Sequence, residues 1–158
     1  MKEKYQKLPL RSGVGIVLLN KENKIFVAKR IDNPKNFWQL PQGGVGKDED
    51  FYTAALRELK EETSIVSVKP IKEIEENLTY ILPDHLIGII WKGKYKGQKQ
   101  KWFIMKFIGD ELEINIKTKH PEFLDWKWIE LENLTEIAVH FKLEVYKKLK
   151  SEIKKILD

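Results

Sequence analysis

A chain of 158 residues, 42% hydrophobic and 34% charged, has the size of one ordinary domain and can bury a substantial core. It contains no cysteine, which excludes a disulfide framework, a thiolate nucleophile and a zinc-thiolate centre. With 29 Lys and Arg against 24 Asp and Glu, the formal net charge is +5, a field that favours polyanionic partners but does not alone separate a nucleic-acid binder from a merely well-solvated protein.

The first residues, MKEKYQKLPLR, lack the apolar core of a signal peptide, and no window approaches the roughly 20 apolar residues of a membrane span. A soluble, cytoplasmic protein with no membrane partner is expected. Gly13 to Leu19 is an apolar, β-branched run, Asn20 to Lys24 a polar turn and Ile25 to Ala28 a second short run, which together predict a hairpin. Trp38-Gln39-Leu40-Pro41 then leads into the pair Gly43-Gly44. Asp50 to Thr63 predicts a helix, and the negative charge of Asp48, Glu49 and Asp50 suits its positive N-terminal end. Strands are expected within Ser67 to Leu78 and over Leu86 to Trp91, with a break at Pro83-Asp84, and again at Lys101 to Ile108 and Trp126 to Ile129. From about Thr135 to Leu157, the positions of Phe141, Val145, Tyr146, Leu149, Ile153 and Ile156 have helical spacing, so a second long helix is expected to close the chain. No repeat, low-complexity tract or Pro/Gly/Ser-rich linker divides these elements. Residues 1–158 are therefore expected to form one α/β domain, most simply an α/β/α sandwich around a mixed sheet, although the pattern alone does not separate this from another α+β arrangement.

The predicted Asp50–Thr63 helix carries the most chemistry. At about 100° per residue, Glu58, Glu61 and Glu62 share one arc of roughly 100°, while Tyr52, Ala55, Leu56 and Leu59 share the neighbouring arc. One face packs and the next is free to bind. An oxygen-only set of this kind suits hard cations such as Mg²⁺ or Mn²⁺ better than zinc. A glutamate-rich face can equally be just solvated, because exposed like-charge pairs cost only about 0.2–0.5 kcal/mol each. The flanks favour a site: Gly43 and Gly44 allow close backbone approach just before the helix, and Arg57 can pair with Glu61 one turn on.

Gly43, five residues, Glu49, seven residues, then Arg57-Glu58-Leu59-Lys60-Glu61-Glu62-Thr63-Ser64-Ile65 resembles the Nudix box, G-x5-E-x7-R-E-U-x-E-E-x-G-U with U aliphatic. Ser64 stands where that pattern has glycine. If the backbone there takes positive φ, the side chain costs on the order of 1 kcal/mol without removing a ligand. The resemblance implies a Nudix-type sandwich and a hydrolase acting on phosphoanhydride bonds with more than one Mg²⁺ or Mn²⁺ ion. It assigns Glu58, Glu61 and Glu62 as metal ligands, with a Gly43 or Gly44 carbonyl completing the shell and Arg57 fixing carboxylate geometry through Glu49. One glutamate could instead serve as general base, and sequence does not separate the two roles.

Outside the box, Arg11 before GVGIVLLN, AKR at 28–30, FWQLPQGG at 37–44, GQKQKWF at 97–103, PEF at 121–123, WKW at 126–128 and VHFK at 139–142 resemble the bacterial RNA 5′-pyrophosphohydrolases. That subgroup is similar to diadenosine polyphosphate hydrolases, so the implied substrates are 5′-triphosphorylated RNA or a dinucleoside polyphosphate, with no DNA partner expected. A non-catalytic nucleotide- or RNA-binding domain is the contrasting possibility. On a strand, Lys99 and Lys101 could approach phosphates while Gln98 and Gln100 offer amide hydrogen bonds, or the lysines could face solvent from an edge strand. Arg11 joins the implied substrate contacts, and Arg30, Val139, Phe141 and Lys142 could frame a nucleotide by stacking and charge, although Phe141 would serve equally as a helix anchor. Glu122 matches a position that could add a metal ligand or place water. His85, His120 and His140 have no motif partner and are expected on surface loops, Tyr80 is expected to pack, and Trp38, Trp102, Trp126 and Trp128 to form core or groove wall.

Overall fold

The computed structural model describes residues 1–32, 35 and 37–158. In chain order the elements are α1 (Glu3–Gln6), β1 (Leu10–Leu19), β2 (Ile25–Arg30), β3 (Gln42–Gly44), α2 (Phe51–Thr63), β4 (Val68–Glu73), β5 (Leu78–Ile81), β6 (Gly97–Phe107), β7 (Phe123–Ile129) and α3 (Leu143–Leu157). The strands form one mixed sheet in the order β4-β6-β1-β2-β7, with β3 added to β1 and β5 to β6. Strands β1 and β6 run parallel from Leu10↔Gly97 to Leu19↔Lys106, and the other pairings are antiparallel.

The uninterrupted apolar run of β1 reflects burial on both faces. Val14, Ile16 and Leu18 pack with Ala54, Ala55 and Leu59 of α2, whereas Val17 and Leu19 pack with Val145, Tyr146, Leu149 and Ile153 of α3. Strand β2 divides in the same way, Phe26 and Ala28 toward α2, Ile25 and Val27 toward α3. The result is the expected α/β/α sandwich. Trp102 lies in the α3-side core, and Trp126 and Trp128 pack on Phe26 at 5.7 and 5.6 Å between ring centroids. No described helix is long and apolar enough to cross a membrane.

Helix α2 begins where Asp50 caps it, accepting from the Thr53 N–H at 2.8 Å and the Thr53 hydroxyl at 2.9 Å. It ends at Ser64, whose φ of 67° is the left-handed conformation that glycine would adopt without a Cβ penalty. Two hydrogen bonds hold the serine there, its N–H to the Lys60 carbonyl and its hydroxyl to the Asn115 carbonyl, both at 2.8 Å.

Two sequence expectations change. Leu86 to Trp91 is not a strand but a series of turns leading into a 3-10 turn at Ile90–Gly93. Positive φ at Gly88, Trp91, Lys92 and Gly93 is incompatible with extended pairing, and the apolar residues serve as a wall, Ile87 buried and Leu86, Ile90 and Trp91 leaning on the α3-side core. The closing helix starts at Leu143 rather than near Thr135, because the Ile137 carbonyl, which a helix would give to the N–H four residues on, accepts instead from the Trp38 N–H at 3.0 Å. That bond leaves Val139, His140, Phe141 and Lys142 outside the helix, where they line a cleft. In addition, Ser67 to Leu78 holds β4 and only the first residue of β5.

Gly15 sits where the fully buried Trp102 indole crosses β1, and a Cβ there would overlap the ring. Gly15→Ala is expected to destabilise the fold by about 1–3 kcal/mol through overpacking. The check is a lower urea midpoint at unchanged m-value.

Candidate active site

Arg57, on α2, organises the acidic groups. Its Nε and Nη2 donate to Glu49 Oε2 and Oε1 at 2.8 and 3.0 Å, and Nη2 also reaches the Gly44 carbonyl at 2.9 Å. Nη1 donates to Glu58 Oε1 at 2.9 Å and to Glu61 Oε2 at 3.2 Å. The bonds from Arg57, helped by the Gly46 N–H, push the Glu49 carboxyl down to about 2, so Glu49 is a permanently ionised tether. One guanidinium thus ties the loop before α2, the glycine pair and two of the three clustered glutamates into a single unit.

The third glutamate is different. Glu62 is 2% exposed, and neither carboxylate oxygen has a hydrogen-bond partner of good geometry. Burial pushes its pKa well above the usual carboxylate range, with the negative charges of Glu122 and Glu58 adding to the shift and Arg30 and the nearby Gln42 backbone N–H, beyond good hydrogen-bond geometry, opposing it. Glu58 is also raised, chiefly by burial, although Arg57 pulls the other way. Gly43 lies so close that a Cβ would overlap the Glu58 carboxyl, and glycine is what lets β3 press its backbone against this group. Glu61 is exposed, and so is Glu122, just before β7, whose charge reaches both Glu58 and Glu62.

Among the described residues, no three acidic or histidine side chains close into a finished cation cage. Arg57 spans Glu58 and Glu61 on the outside while Glu62 is held inside. A buried, partnerless carboxylate is costly unless a cation or proton compensates it. The donors nearby are all oxygens, as a hard divalent cation requires, so the residues fit such an ion, which Glu62 and Glu58 would hold innermost.

A cleft of about 970 Å³ opens beside this cluster. Of the expected substrate contacts, Arg11, Arg30, Val139, Phe141 and Lys142 line it, together with Gly43, Gly44, Glu58 and Glu122. Arg30 is held in a two-pronged pair with Asp32, at 2.7 and 2.9 Å. The Arg11 guanidinium lies 5.3 Å from the Trp91 ring, and Phe141 packs 5.8 Å from Tyr80. Lys142 is 8% exposed with its Nζ 5.4 Å over the Tyr80 ring; burial, assisted by the charge of Arg30, pushes its ammonium down to about 8.

Strand parity sorts the GQKQKW segment. Gln98 is fully buried behind the cleft wall, where Gln98 Oε1 accepts from the Tyr80 hydroxyl at 3.1 Å and from Gln100 Nε2 at 2.8 Å; Gln100 also donates to Gln42 at 3.0 Å. Lys99 and Lys101 take the other face of β6 and do not line the cleft. Lys99 is exposed, and Lys101 donates to the Glu75 carbonyl at 2.8 Å and pairs with Glu73 at 3.8 Å. Sequence reasoning missed Asp32, Gln42 and Trp91 as cleft residues, and it did not expect His85 and His140 there. Asp32 two positions after Arg30, and Gln42 directly before the glycine pair, were available signals; Trp91 was hidden by the expected strand.

The NUDIX domain family model matches residues 9–149, and the chain belongs to this family. It is a hydrolase of pyrophosphate bonds, and enzymes of the family generally use divalent metal ions. The RNA pyrophosphohydrolase of Pelagibacter ubique is 65% identical over 158 residues, covering all of both chains. That of Sphingopyxis alaskensis is 44% identical over 147 residues, covering 92% of this chain and 93% of the relative. Among solved structures, a C. elegans Ap4A hydrolase binary complex shares the fold with a TM-score of 0.66 at 24% identity, over 92% of this chain and 99% of that one.

Because burial raises Glu62, the folded state holds that proton more tightly than the unfolded chain, and stability falls as pH rises from the ordinary glutamate range through the folded-state value. With divalent ions chelated, Glu62→Gln is therefore expected to melt above the wild type at neutral pH and to flatten this decline. Added Mg²⁺ should raise the wild-type melting temperature more than the variant's, which scanning calorimetry reads directly.

Proposed function

We propose that the protein is an RNA 5′-pyrophosphohydrolase. It hydrolyses the 5′-triphosphate of RNA to a 5′-monophosphate, releases pyrophosphate and so opens transcripts to decay in the cytoplasm, with residues 1–158 acting as one domain. The observation that carries this reading is the 65% identity, over the full length of both chains, to a protein named RNA pyrophosphohydrolase. The partnerless Glu62 carboxylate beside a cleft lined by Arg11, Arg30 and Lys142 supports it, because a polyphosphate needs cations on both sides.

Glu58, Glu61 and Glu62 would hold more than one Mg²⁺ or Mn²⁺ ion, with Glu122 and a carbonyl of Gly43 or Gly44 contributing. When bound, such ions neutralise phosphate charge and activate water. Arg57, tethered by Glu49, keeps the carboxylates spaced, and one of the three glutamates accepts the proton of the attacking water. Arg11 and Lys142 meet the phosphates, while Arg30, Val139 and Phe141 frame the 5′-terminal nucleotide. Gln98 supports Tyr80 and Gln42 from behind, and Lys99 and Lys101 add field rather than contact.

Turnover of a 5′-labelled triphosphorylated RNA beside diadenosine tetraphosphate is the direct test. The expected products are pyrophosphate and 5′-monophosphorylated RNA, at a higher kcat/KM than the dinucleotide; strong preference for the dinucleotide, yielding ATP and AMP, would defeat the assignment. Glu61→Gln and Glu62→Gln should each lower turnover on the order of a hundredfold or more, since even groups that only support metal ligands are worth about 10–100-fold. Unchanged turnover in both would remove them from the metal site.

The Lys142 ammonium, lowered to about 8 by burial, is charged below that pH and neutral above it. kcat/KM for RNA is expected to fall as pH rises through about 8, and Lys142→Arg, which stays protonated, should abolish the decline. A pH profile identical in both proteins would show that Lys142 carries no phosphate charge.

A further inference from the structure

Trp38 stands at the rim of the cleft, its N–H bonded to the Ile137 carbonyl just before the Val139–Lys142 wall. Two ammonium groups rest on its ring: Lys127 Nζ at 4.2 Å and Lys29 Nζ at 5.0 Å from the centroid. They come from neighbouring strands, in a register that pairs Val27 with Lys127 and Lys29 with Asp125, at the β7 edge of the sheet. Neither makes an ion pair among the described residues. The one acid across from Lys29, Asp125, instead accepts from the Trp126 N–H at 2.8 Å. These charges lie outside the cleft lining, so the site described above does not use them.

An indole with two ammonium groups over its ring has the components that single-stranded RNA requires, a flat stacking surface and two positive charges for the phosphates on either side of a base. Cation–π contacts outside a desolvated core are weak, and neither lysine is held by an ion pair among the described residues, so both can leave the ring for a phosphate at small cost. We infer that Trp38, Lys29 and Lys127 form a downstream track for the RNA body, in which a nucleotide beyond the 5′ end stacks on the indole while the two ammonium groups move from the ring to its flanking phosphates. The track rests on the RNA assignment and extends it from the reacting end to the length of the substrate. It makes the enzyme favour a chain over a short triphosphorylated fragment without reading its sequence, because stacking and phosphate contact are common to every base.

The test is the double variant Lys29→Gln, Lys127→Gln, assayed on a triphosphorylated octaribonucleotide and a triphosphorylated diribonucleotide. Lys127 is exposed and Lys29 half-buried, and neither belongs to the Arg57 cluster. kcat/KM on the octamer is expected to fall about tenfold, with the dimer within about twofold of wild type. Equal rates for wild type and variant on the octamer, or an equal loss on both substrates, would overturn the track. Binding of a 5′-hydroxyl octaribonucleotide, which carries no reacting phosphates, separates the track from the catalytic assignment. Loss of two phosphate contacts should make the slope of log affinity against log salt shallower by about 1.4. If the wild type prefers dinucleoside polyphosphate yet still binds this RNA through both lysines, the catalytic assignment fails and the RNA track stands; if the slope does not change, the track fails whatever the enzyme hydrolyses.

Discussion

The site depends on one guanidinium. Arg57 holds Glu49, the Gly44 carbonyl, Glu58 and Glu61 at once, so the approach loop, the glycine strand and the catalytic helix cannot move independently. Its planar fork supplies the geometry that a lysine could not. Because Arg57 satisfies Glu58 and Glu61, Glu62 is the glutamate of the helical cluster that is buried without a side-chain hydrogen-bond partner among the described residues. The arrangement concentrates the electrostatic cost of the cluster at the position where a cation neutralises it best.

The sandwich is what makes that concentration possible. Packing of α2 through Ala54, Ala55 and Leu59 fixes the rotation of the helix, and with it which glutamate turns inward. On the opposite layer, α3 presents the buried Tyr146 hydroxyl to the Leu40 N–H at 2.9 Å, pinning the segment that runs into the glycine pair. The cleft lies between the two constraints, acidic toward α2 and cationic toward Arg11, Arg30 and Lys142. A polyphosphate, if that is the substrate as proposed, would meet fixed positive charge from one side and the carboxylate cluster from the other.

Much of this was legible beforehand because the relevant patterns are local. Helix periodicity placed Glu58, Glu61 and Glu62 on an arc beside that of Leu59, Asp50 appeared as an acid suited to the helix N-terminus and proved to be the cap, and Ser64, standing where the motif has glycine, was the position at which a positive φ would carry a cost. The run from Leu86 to Trp91 misled for an equally local reason: an apolar stretch shows that a segment is to be buried, not whether it lies in a sheet or folds over a cleft. The parity of GQKQKW was readable too, but not which parity faced the ligand. That depends on which side of β6 the cleft occupies, and there Gln98 is buried while Lys101 is tied to Glu73 and Glu75.

By itself, then, the sequence determined the row of carboxylates, since spacing along one helix is intrinsic to the backbone, while the family and the sandwich were legible through the resemblance of its motif spacing to the Nudix box. Only the tertiary structure decided that Glu62 is buried without a partner, that Lys142 is desolvated beside Arg30, that Asp32 occupies the Arg30 fork and that Trp38 carries two lysines. These are properties of groups far apart in the chain. Their charge states and contacts depend on how much water the packed layers exclude and on which neighbours the fold brings within a few ångströms, and neither quantity is written in any local pattern.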